Sequence, residues 1–240
     1  MTVKKPLLVA NWKENKDLKE AKDWVLAVGP QIAKRNLKII VCVPFPLIFP
    51  LFELIGQKKW QENFYLAAQD ISRFEEGAYT GEVAAKMLSG ACQFCLVGHS
   101  ERKKYFGENQ EEVIAKVKIL LTQNFTPILC LANLEQLDFY HKKFPSLGKD
   151  KDLILVYEPP EAISSGGPYH PEDPKTSESK IQAIKEKFGT RFLVLYGGSV
   201  NPENILEFLT RPSIDGALIG QASLEAQTFL ELVGKAFTLI

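Results

Sequence analysis

The sequence has no excess of charge of either sign: its 240 residues include 29 basic and 29 acidic side chains. Proteins that bind DNA, RNA or an anionic membrane surface usually carry a basic excess or a basic patch. The even balance gives no support to these partners, and we expect neither a nucleic acid nor a membrane as partner. A small anion remains compatible, because one local cation and a few backbone amides suffice to bind it.

Long apolar runs are also missing. No run approaches the roughly 20 residues that a membrane-spanning helix requires, and residues 1–8 contain no apolar stretch long enough for a signal peptide. We therefore expect a cytoplasmic protein. Its length fits one or two domains, although α/β barrels commonly reach this size as one domain.

Cysteine is scarce, and its four occurrences do not form a clear metal site. Cys92 and Cys95 form a C-x-x-C pair, which could be redox-active or half of a zinc site. No second Cys or His pair lies at ligand spacing, and Cys95 lies in an apolar run that predicts a buried strand. We interpret the cysteines as structural thiols and expect no metal and no cofactor.

Eight short apolar runs recur along the chain, each followed by a polar turn and a helical pattern. The runs are continuous rather than alternating, which is typical of strands in a sheet with both faces buried. They are Leu7–Ala10, Ile39–Val43, Phe64–Ala68, Phe94–Val97, Pro127–Leu131, Leu153–Tyr157, Phe192–Tyr196 and Ala217–Ile219.

Helical periodicity fills the intervening segments. Leu18, Ala21, Val25, Val28 and Ile32 fall on one face of the first predicted helix. Together with the strands this pattern predicts an α/β protein, a single (β/α)8 barrel domain over residues 1–240. An open, doubly wound sheet is the alternative, because periodicity cannot show whether a sheet closes.

Catalytic groups of a parallel barrel lie directly after the strands. Lys13 follows the first strand, His99 the fourth and Glu158 the sixth. Each has a simpler interpretation: a surface lysine, a hydrogen-bonded histidine at a strand end, or a carboxylate in a rigid turn. His99 precedes a serine that could begin a helix, and a helix N-terminus favours a neutral imidazole, which can donate a hydrogen bond to a developing oxyanion.

Two glycine-containing loops, 196–200 and 219–223, follow the last two strands. Exposed backbone N–H groups in such loops bind phosphate, and barrels often place a phosphate site there. A lysine, a histidine, a carboxylate and two such loops indicate proton abstraction beside the carbonyl of a phosphorylated substrate.

Five separated segments resemble the signature segments of the triose-phosphate isomerase family, in the same order. They are Asn11-Trp12-Lys13, Gly77-Ala78-Tyr79-Thr80-Gly81-Glu82, Gly98-His99-Ser100-Glu101-Arg102, Tyr157-Glu158-Pro159 and Tyr196-Gly197-Gly198-Ser199-Val200. The resemblance covers nearly the whole chain and implies a TIM barrel that interconverts dihydroxyacetone phosphate and D-glyceraldehyde 3-phosphate. This family is itself a standard example of a glutamate base paired with a neutral histidine.

The resemblance implies a role for each matching residue. Glu158 would remove the proton, His99 would protonate and deprotonate the enediolate oxygens, and Lys13 would supply positive charge. Asn11 would shape the pocket and Glu101 would pair with Lys13. The implied phosphate contacts are backbone amides of Ser164, Ser199, Gly220 and Gln221, and no cofactor or metal is implied.

The resemblance also implies a homodimer, with a tetramer possible. The loop around Thr80 would insert near Asn11 and Lys13 of the partner subunit, and Glu82 would pair with Arg102 of the partner subunit.

Several positions depart from the family pattern. Pro160 and Glu161 replace the usual hinge pair, Ser164 and Ser165 replace a glycine and a threonine, and Gln221 replaces a glycine near the phosphate. Ala132-Asn133 also stands where Gly-Glu is usual. These positions concern loop motion and phosphate affinity, so we expect activity to be retained. The alternatives are another phosphate-binding barrel enzyme, such as an epimerase or a synthase, and a catalytically silent paralogue.

Overall fold

The computed structural model describes residues 5–35, 37–145, 147, 153–162, 170–189 and 191–239. Eight parallel strands form a closed barrel in sequence order, with β8 hydrogen-bonded to β1. The strands are β1 (Leu7–Asn11), β2 (Ile39–Val43), β3 (Phe64–Ala68), β4 (Phe94–Val97), β5 (Thr126–Leu131), β6 (Ile154–Tyr157), β7 (Leu193–Tyr196) and β8 (Gly216–Ile219).

Helices connect the strands around the outside of the barrel. In the described part of the chain they are α1 (Leu18–Arg35), α2 (Phe45–Gln57), α3 (Ser100–Phe106), α4 (Gln110–Thr122), α5 (Leu134–Lys143), α6 (Pro174–Phe188), α7 (Ile205–Leu209) and α8 (Ala226–Phe237). The alternation is uneven, since β3 is followed only by the short 3-10 helix Ala85–Leu88 and β4 by two α-helices. The predicted (β/α)8 barrel is confirmed, and the open sheet is wrong.

Both faces of the strands are buried, which explains why the apolar runs are continuous. Alternate strand residues point inward and form an interior core. Its members are Val9, Ile40, Cys42, Ala67, Leu96, Ile128, Cys130, Ile154, Val156, Leu195 and Leu218. The other strand residues point outward and pack against the helices as an outer core. A run with apolar neighbours on both sides needs no polar position.

The barrel closes where β8 meets β1. Gly216 pairs with Leu7, and Ile219 pairs with Ala10. A Cβ on Gly216 would lie 1.9 Å from the carbonyl oxygen of Leu7. Only glycine allows the two backbones to approach this closely.

The predicted strands differ from the observed ones by at most one residue at an end. The face predicted for α1 is buried at Ala21, Val25, Val28 and Ile32, but Leu18 is 41% exposed. Leu18 is the first residue of the helix, so it lies before the turns that pack on the sheet. Trp24, which the predicted face omitted, is buried there instead and donates its indole N–H to the carbonyl of Ser223.

All four cysteines are buried and free, including the C-x-x-C pair Cys92 and Cys95. Cys42 and Cys130 belong to the interior core, and Cys92 and Cys95 to the outer core. Across the described ranges, no helix combines the length and the apolar character needed to cross a membrane.

Replacement of the closing glycine tests this account of the barrel. We expect Gly216→Ala to lower the free energy of unfolding by about 3 kcal/mol or more, because overpacking costs about 1–3 kcal/mol and this clash is with rigid backbone. Urea denaturation measures the difference. The control is Gly234→Ala in α8, where a Cβ meets no atom within 4 Å and where alanine is the better helix former. Equal stability of Gly216→Ala and wild type would contradict the proposed close approach.

Candidate active site

The ends of strands β1, β4, β6, β7 and β8 surround one cleft at the carboxyl rim of the barrel. The cleft encloses about 420 Å³ of space open to solvent. Its lining residues are Asn11, Lys13, His99, Glu158, Gly197, Gly198, Ser199, Val200, Leu218, Gly220 and Gln221. Three predicted site residues from distant parts of the chain, Lys13, His99 and Glu158, are therefore brought together.

Glu158 is the most buried carboxylate of the cleft, with 3% of its surface exposed. Its Oε1 lies 3.2 Å from Nε2 of His99, and its Oε2 accepts the backbone N–H of Ser100 at 3.2 Å. Cys130 on β5 lies beneath it: burial first, and the nearby charge of Glu158 second, raise the pKa of this thiol. Cys130 is therefore a neutral neighbour of the carboxylate.

The imidazole of His99 is oriented by the start of α3. His99 is the N-cap of this helix, and its Nδ1 accepts the backbone N–H of Glu101 at 3.2 Å. A nitrogen that accepts an N–H carries no proton of its own, so the ring proton of the neutral imidazole lies on Nε2. The Nε2–H bond faces Glu158 and the cleft, where it can serve as a donor.

Lys13 projects into the cleft from a strained backbone. Its φ is 53°, a left-handed value that costs a non-glycine residue about 1–3 kcal/mol. Its N–H donates to Oδ1 of Asn11 at 3.0 Å, and its carbonyl accepts the side-chain amide of Gln69 at 2.9 Å. The ammonium lies 2.6 Å from Oε1 of Glu101, which confines the positive charge to the cleft.

Gly197 makes room for the carboxylate of Glu158. A Cβ on Gly197 would lie 2.8 Å from Cγ of Glu158 and 2.5 Å from Cγ1 of Val156. Both distances are shorter than real Cβ contacts. The glycine after β7 is therefore required sterically, since any side chain would push the carboxylate out of its place.

The predicted phosphate contacts fall into three groups. Gly220 and Gln221 line the cleft at the start of a 3-10 helix, where the first N–H groups have no partner within the helix. Ser199 also lines the cleft, but its N–H and its hydroxyl both donate to the carbonyl of Ala162, at 2.8 Å and 2.7 Å. An anion can reach the Ser199 amide only if this bond breaks. Ser164 lies outside the described residues, as does Ser165.

Comparison with known proteins identifies the family. The family model described as "Triosephosphate isomerase" matches residues 6–236. The chain is 36% identical to the triosephosphate isomerase of Thermus thermophilus, with 96% of this chain and 98% of the relative covered. It is 35% identical to that of Alkaliphilus oremlandii, with 96% and 99% covered, and 34% identical to that of Alkalilimnicola ehrlichii, with 98% and 99% covered.

The chain belongs to the triosephosphate isomerase family. The resemblance seen in the sequence is thereby confirmed, and the chain is an isomerase by family. Within the described ranges, no group of three or more His, Cys, Asp or Glu side chains is placed to hold a metal ion.

Several neighbours of Lys13 and Glu158 are absent from the residues predicted from the sequence. Gln69 follows β3 directly and donates to the carbonyls of Lys13 and Cys42, so the rule that sites follow strands could have found it. Cys130 was assigned to structure alone, although it touches the carboxylate of Glu158. Ser100 was read only as the start of a helix, whereas its N–H binds that carboxylate.

The tautomer of His99 is directly testable. We expect neutral His99 to carry its proton on Nε2, because Nδ1 accepts the N–H of Glu101. Two-bond ¹H–¹⁵N correlation spectra of labelled protein distinguish the two tautomers. His141, exposed on α5, is the internal reference. A proton found on Nδ1 of the neutral ring would contradict the hydrogen bond.

Proposed function

We propose that the chain interconverts dihydroxyacetone phosphate and D-glyceraldehyde 3-phosphate through an enediolate. The observation that carries the proposal is the placement of a buried carboxylate, Glu158, 3.2 Å from Nε2 of His99, with the ammonium of Lys13 lining the same cleft. A base, a hydrogen-bond donor and a fixed cation at one site are what proton transfer beside a carbonyl requires.

The proposed reaction begins with proton transfer to Glu158. The carboxylate takes a proton from the carbon beside the carbonyl, and the electron pair moves onto the carbonyl oxygen. The Nε2–H group of His99 gives its proton to this oxygen, and Nε2 then takes the proton of the neighbouring hydroxyl, whose oxygen becomes the new carbonyl oxygen. The proton on Glu158 passes to the former carbonyl carbon. Since Nε2 now faces Glu158, the carboxylate has to turn toward the substrate carbon and leave Nε2–H to the oxygen.

Lys13 supports the enediolate and the phosphate by its charge. Its ammonium is held near Gly220: a Cβ on this glycine would lie 3.3 Å from Cε of Lys13. The amides of Gly220 and Gln221 are the proposed phosphate donors beside it. The cation and the amides would thus fix the anionic end of the substrate while the carbons react.

Glu158→Gln tests the assigned base. We expect kcat to fall by about 10²–10⁴-fold, the range that general base catalysis contributes, because the amide cannot accept the proton. Formation of dihydroxyacetone phosphate from D-glyceraldehyde 3-phosphate is followed through a coupled reductase. Glu135→Gln, an exposed glutamate in α5, is the matched control and should keep the wild-type rate.

Three results would count against the proposal. Equal rates for wild type and Glu158→Gln would remove the base assignment. No turnover by a folded wild type would favour the silent paralogue, and turnover of a different phosphorylated sugar would favour another barrel enzyme. Nothing in the cleft favours either alternative, because the base, the imidazole and the ammonium are all present.

We further propose a homodimer in which the loop around Thr80 packs beside the partner's cleft. Thr80 and Glu82 are exposed, and the loop is stiffened by stacking of Tyr79 on Phe74 with ring centroids 4.1 Å apart. A groove next to Lys13 could receive such a loop. Its lining includes Asn11, Lys13, Glu14, Asn15, Phe45, Tyr105 and Phe106, and the last two are 59% and 70% exposed.

The expected pairing of Glu82 with Arg102 of the partner subunit stays a prediction. Within its own chain, Arg102 already has two acidic partners. Nε of Arg102 already lies 2.8 Å from Asp70 and 3.3 Å from Glu108 within its own chain. Glu82 would thus join a cluster whose arginine is already paired. Assembly into tetramers and the cytoplasmic location also stay predictions.

Thr80→Arg tests the dimer. We expect a wild-type mass of twice one chain, and a monomer with lower turnover for the variant, because a long cation at the loop tip would prevent its insertion. Size-exclusion chromatography with light scattering gives the mass. Thr210→Arg, at an exposed threonine after α7, should stay dimeric. A wild-type monomer would refute the proposal, a dimeric Thr80→Arg would refute the role of the loop, and a fourfold mass would show a tetramer.

A further inference from the structure

Glu172 lies between β6 and α6 and connects three elements at the rim of the barrel. Its Oε1 accepts the hydroxyl of Tyr157 at 3.1 Å, and its Oε2 accepts the hydroxyl of Ser177 at 2.7 Å. Its backbone N–H donates to the hydroxyl oxygen of Tyr196 at 3.0 Å. One residue thus binds the last residue of β6, the last residue of β7 and the first turns of α6.

Tyr157 directly precedes the proposed base, and Tyr196 directly precedes the glycines of the proposed phosphate loop. Tyr157 is followed by Glu158, whose carboxylate is the proposed base. Tyr196 is followed by Gly197, which packs against Glu158, and by Gly198. The hydroxyl oxygen of Tyr196 lies 2.1 Å from where a Cβ on Gly198 would be, so this hydroxyl supports the loop that leads to Ser199.

The ring of Tyr196 is fixed by stacking, and both hydroxyls keep their protons. The ring of Tyr196 stacks on Phe208, with centroids 4.1 Å apart and an interplanar angle of 9°. Burial raises the pKa of Tyr196 to about 12. Burial first, and then the charge of Glu172, also raise the pKa of Tyr157. Both groups therefore stay protonated at neutral pH, and Tyr157 donates to the carboxylate throughout that range.

We propose that Glu172 is a positioning residue: its carboxylate holds Tyr157, and through it the base, at a fixed distance from the phosphate loop, whose Tyr196 is bound by the backbone N–H of the same residue. The inference rests on the proposed function, because it is the proton transfer by Glu158 that the positioning serves. Glu172 itself touches neither the cleft nor, in the proposed reaction, the substrate.

The test compares Glu172→Ala with Asp173→Ala, a substitution at the neighbouring residue that stabilises the same helix. Asp173 caps α6 by accepting the N–H groups of Lys175 and Thr176, and no tyrosine is among its hydrogen-bond partners in the described structure. Asp173→Ala therefore weakens the start of α6 without releasing Tyr157. We expect Glu172→Ala to lower kcat roughly tenfold or more, since small displacements of a reacting group are costly, while KM changes by less than about threefold.

Two further variants distinguish a loss of positioning from a loss of folding. Glu172→Gln retains size and hydrogen bonding to both hydroxyls and should restore most of kcat. Tyr157→Phe removes the same hydrogen bond from the other side and should lower kcat similarly. If Glu172 acts through Tyr157, Glu172→Ala should have little additional effect in the Tyr157→Phe background.

Three outcomes would overturn the proposal: a kcat of Glu172→Ala within about twofold of wild type, an equal loss in Asp173→Ala, or full additivity with Tyr157→Phe. Inorganic phosphate gives a readout that needs no turnover. Its dissociation constant, from isothermal titration, should stay within about threefold of wild type in Glu172→Ala, because the N–H that binds Tyr196 belongs to the backbone and is retained. A larger rise would show that the substitution disturbs the phosphate loop rather than the base, and would overturn the proposal. A folded wild type that binds phosphate without turnover would refute the proposed function, whereas a wild type that turns over at the same rate as Glu172→Ala would refute only the role of Glu172.

Discussion

The barrel closes where the backbones of β8 and β1 approach each other. β8 can lie beside β1 because Gly216 presents no side chain to the carbonyl of Leu7. Closure brings the carboxyl ends of the strands to one rim. Lys13 from the first strand and Gln221 from the last can therefore line the same cleft.

The proposed reacting groups are held by neighbouring residues that have no proposed part in the reaction. Gln69 holds the carbonyl of Lys13, whose backbone would otherwise relax from its left-handed φ. The N–H of Ser100 holds one oxygen of Glu158, and the N–H of Glu101 fixes the ring of His99. Each of these hydrogen bonds joins a backbone group to a side chain, and together they preorganise the site.

The strands were predictable from the sequence because burial on both faces leaves a continuous apolar run. The ends of such runs located Lys13, His99 and Glu158, since catalytic groups of a parallel barrel follow its strands. Closure of the sheet was not predictable from periodicity, because the seam depends on the small size of Gly216 rather than on a repeating pattern.

Hydrogen bonds between residues far apart in the chain were not predictable either. Glu172 looks like a surface glutamate in a polar stretch, and its bonds to two tyrosines appear only in three dimensions. The bond between Ser199 and Ala162 is of the same kind: a motif located the serine, but nothing in the sequence showed that its amide already has an acceptor. Gln69 occupied a predictable place, but an amide side chain has no chemistry that would single it out.

Because all four thiols are buried, their rates of alkylation report on the opening of the fold. Burial raises the pKa of Cys42, Cys92, Cys95 and Cys130, and alkylating reagents attack the thiolate rather than the thiol. Labelling has to wait until the surrounding structure opens. Two of the sulfurs lie inside the barrel and two lie between the sheet and its helices. The labelling rates of Cys92 and Cys95 therefore measure the opening of the outer core, and those of Cys42 and Cys130 measure the opening of the interior core. Comparing the two rates shows whether the helices separate from the sheet before the barrel itself opens.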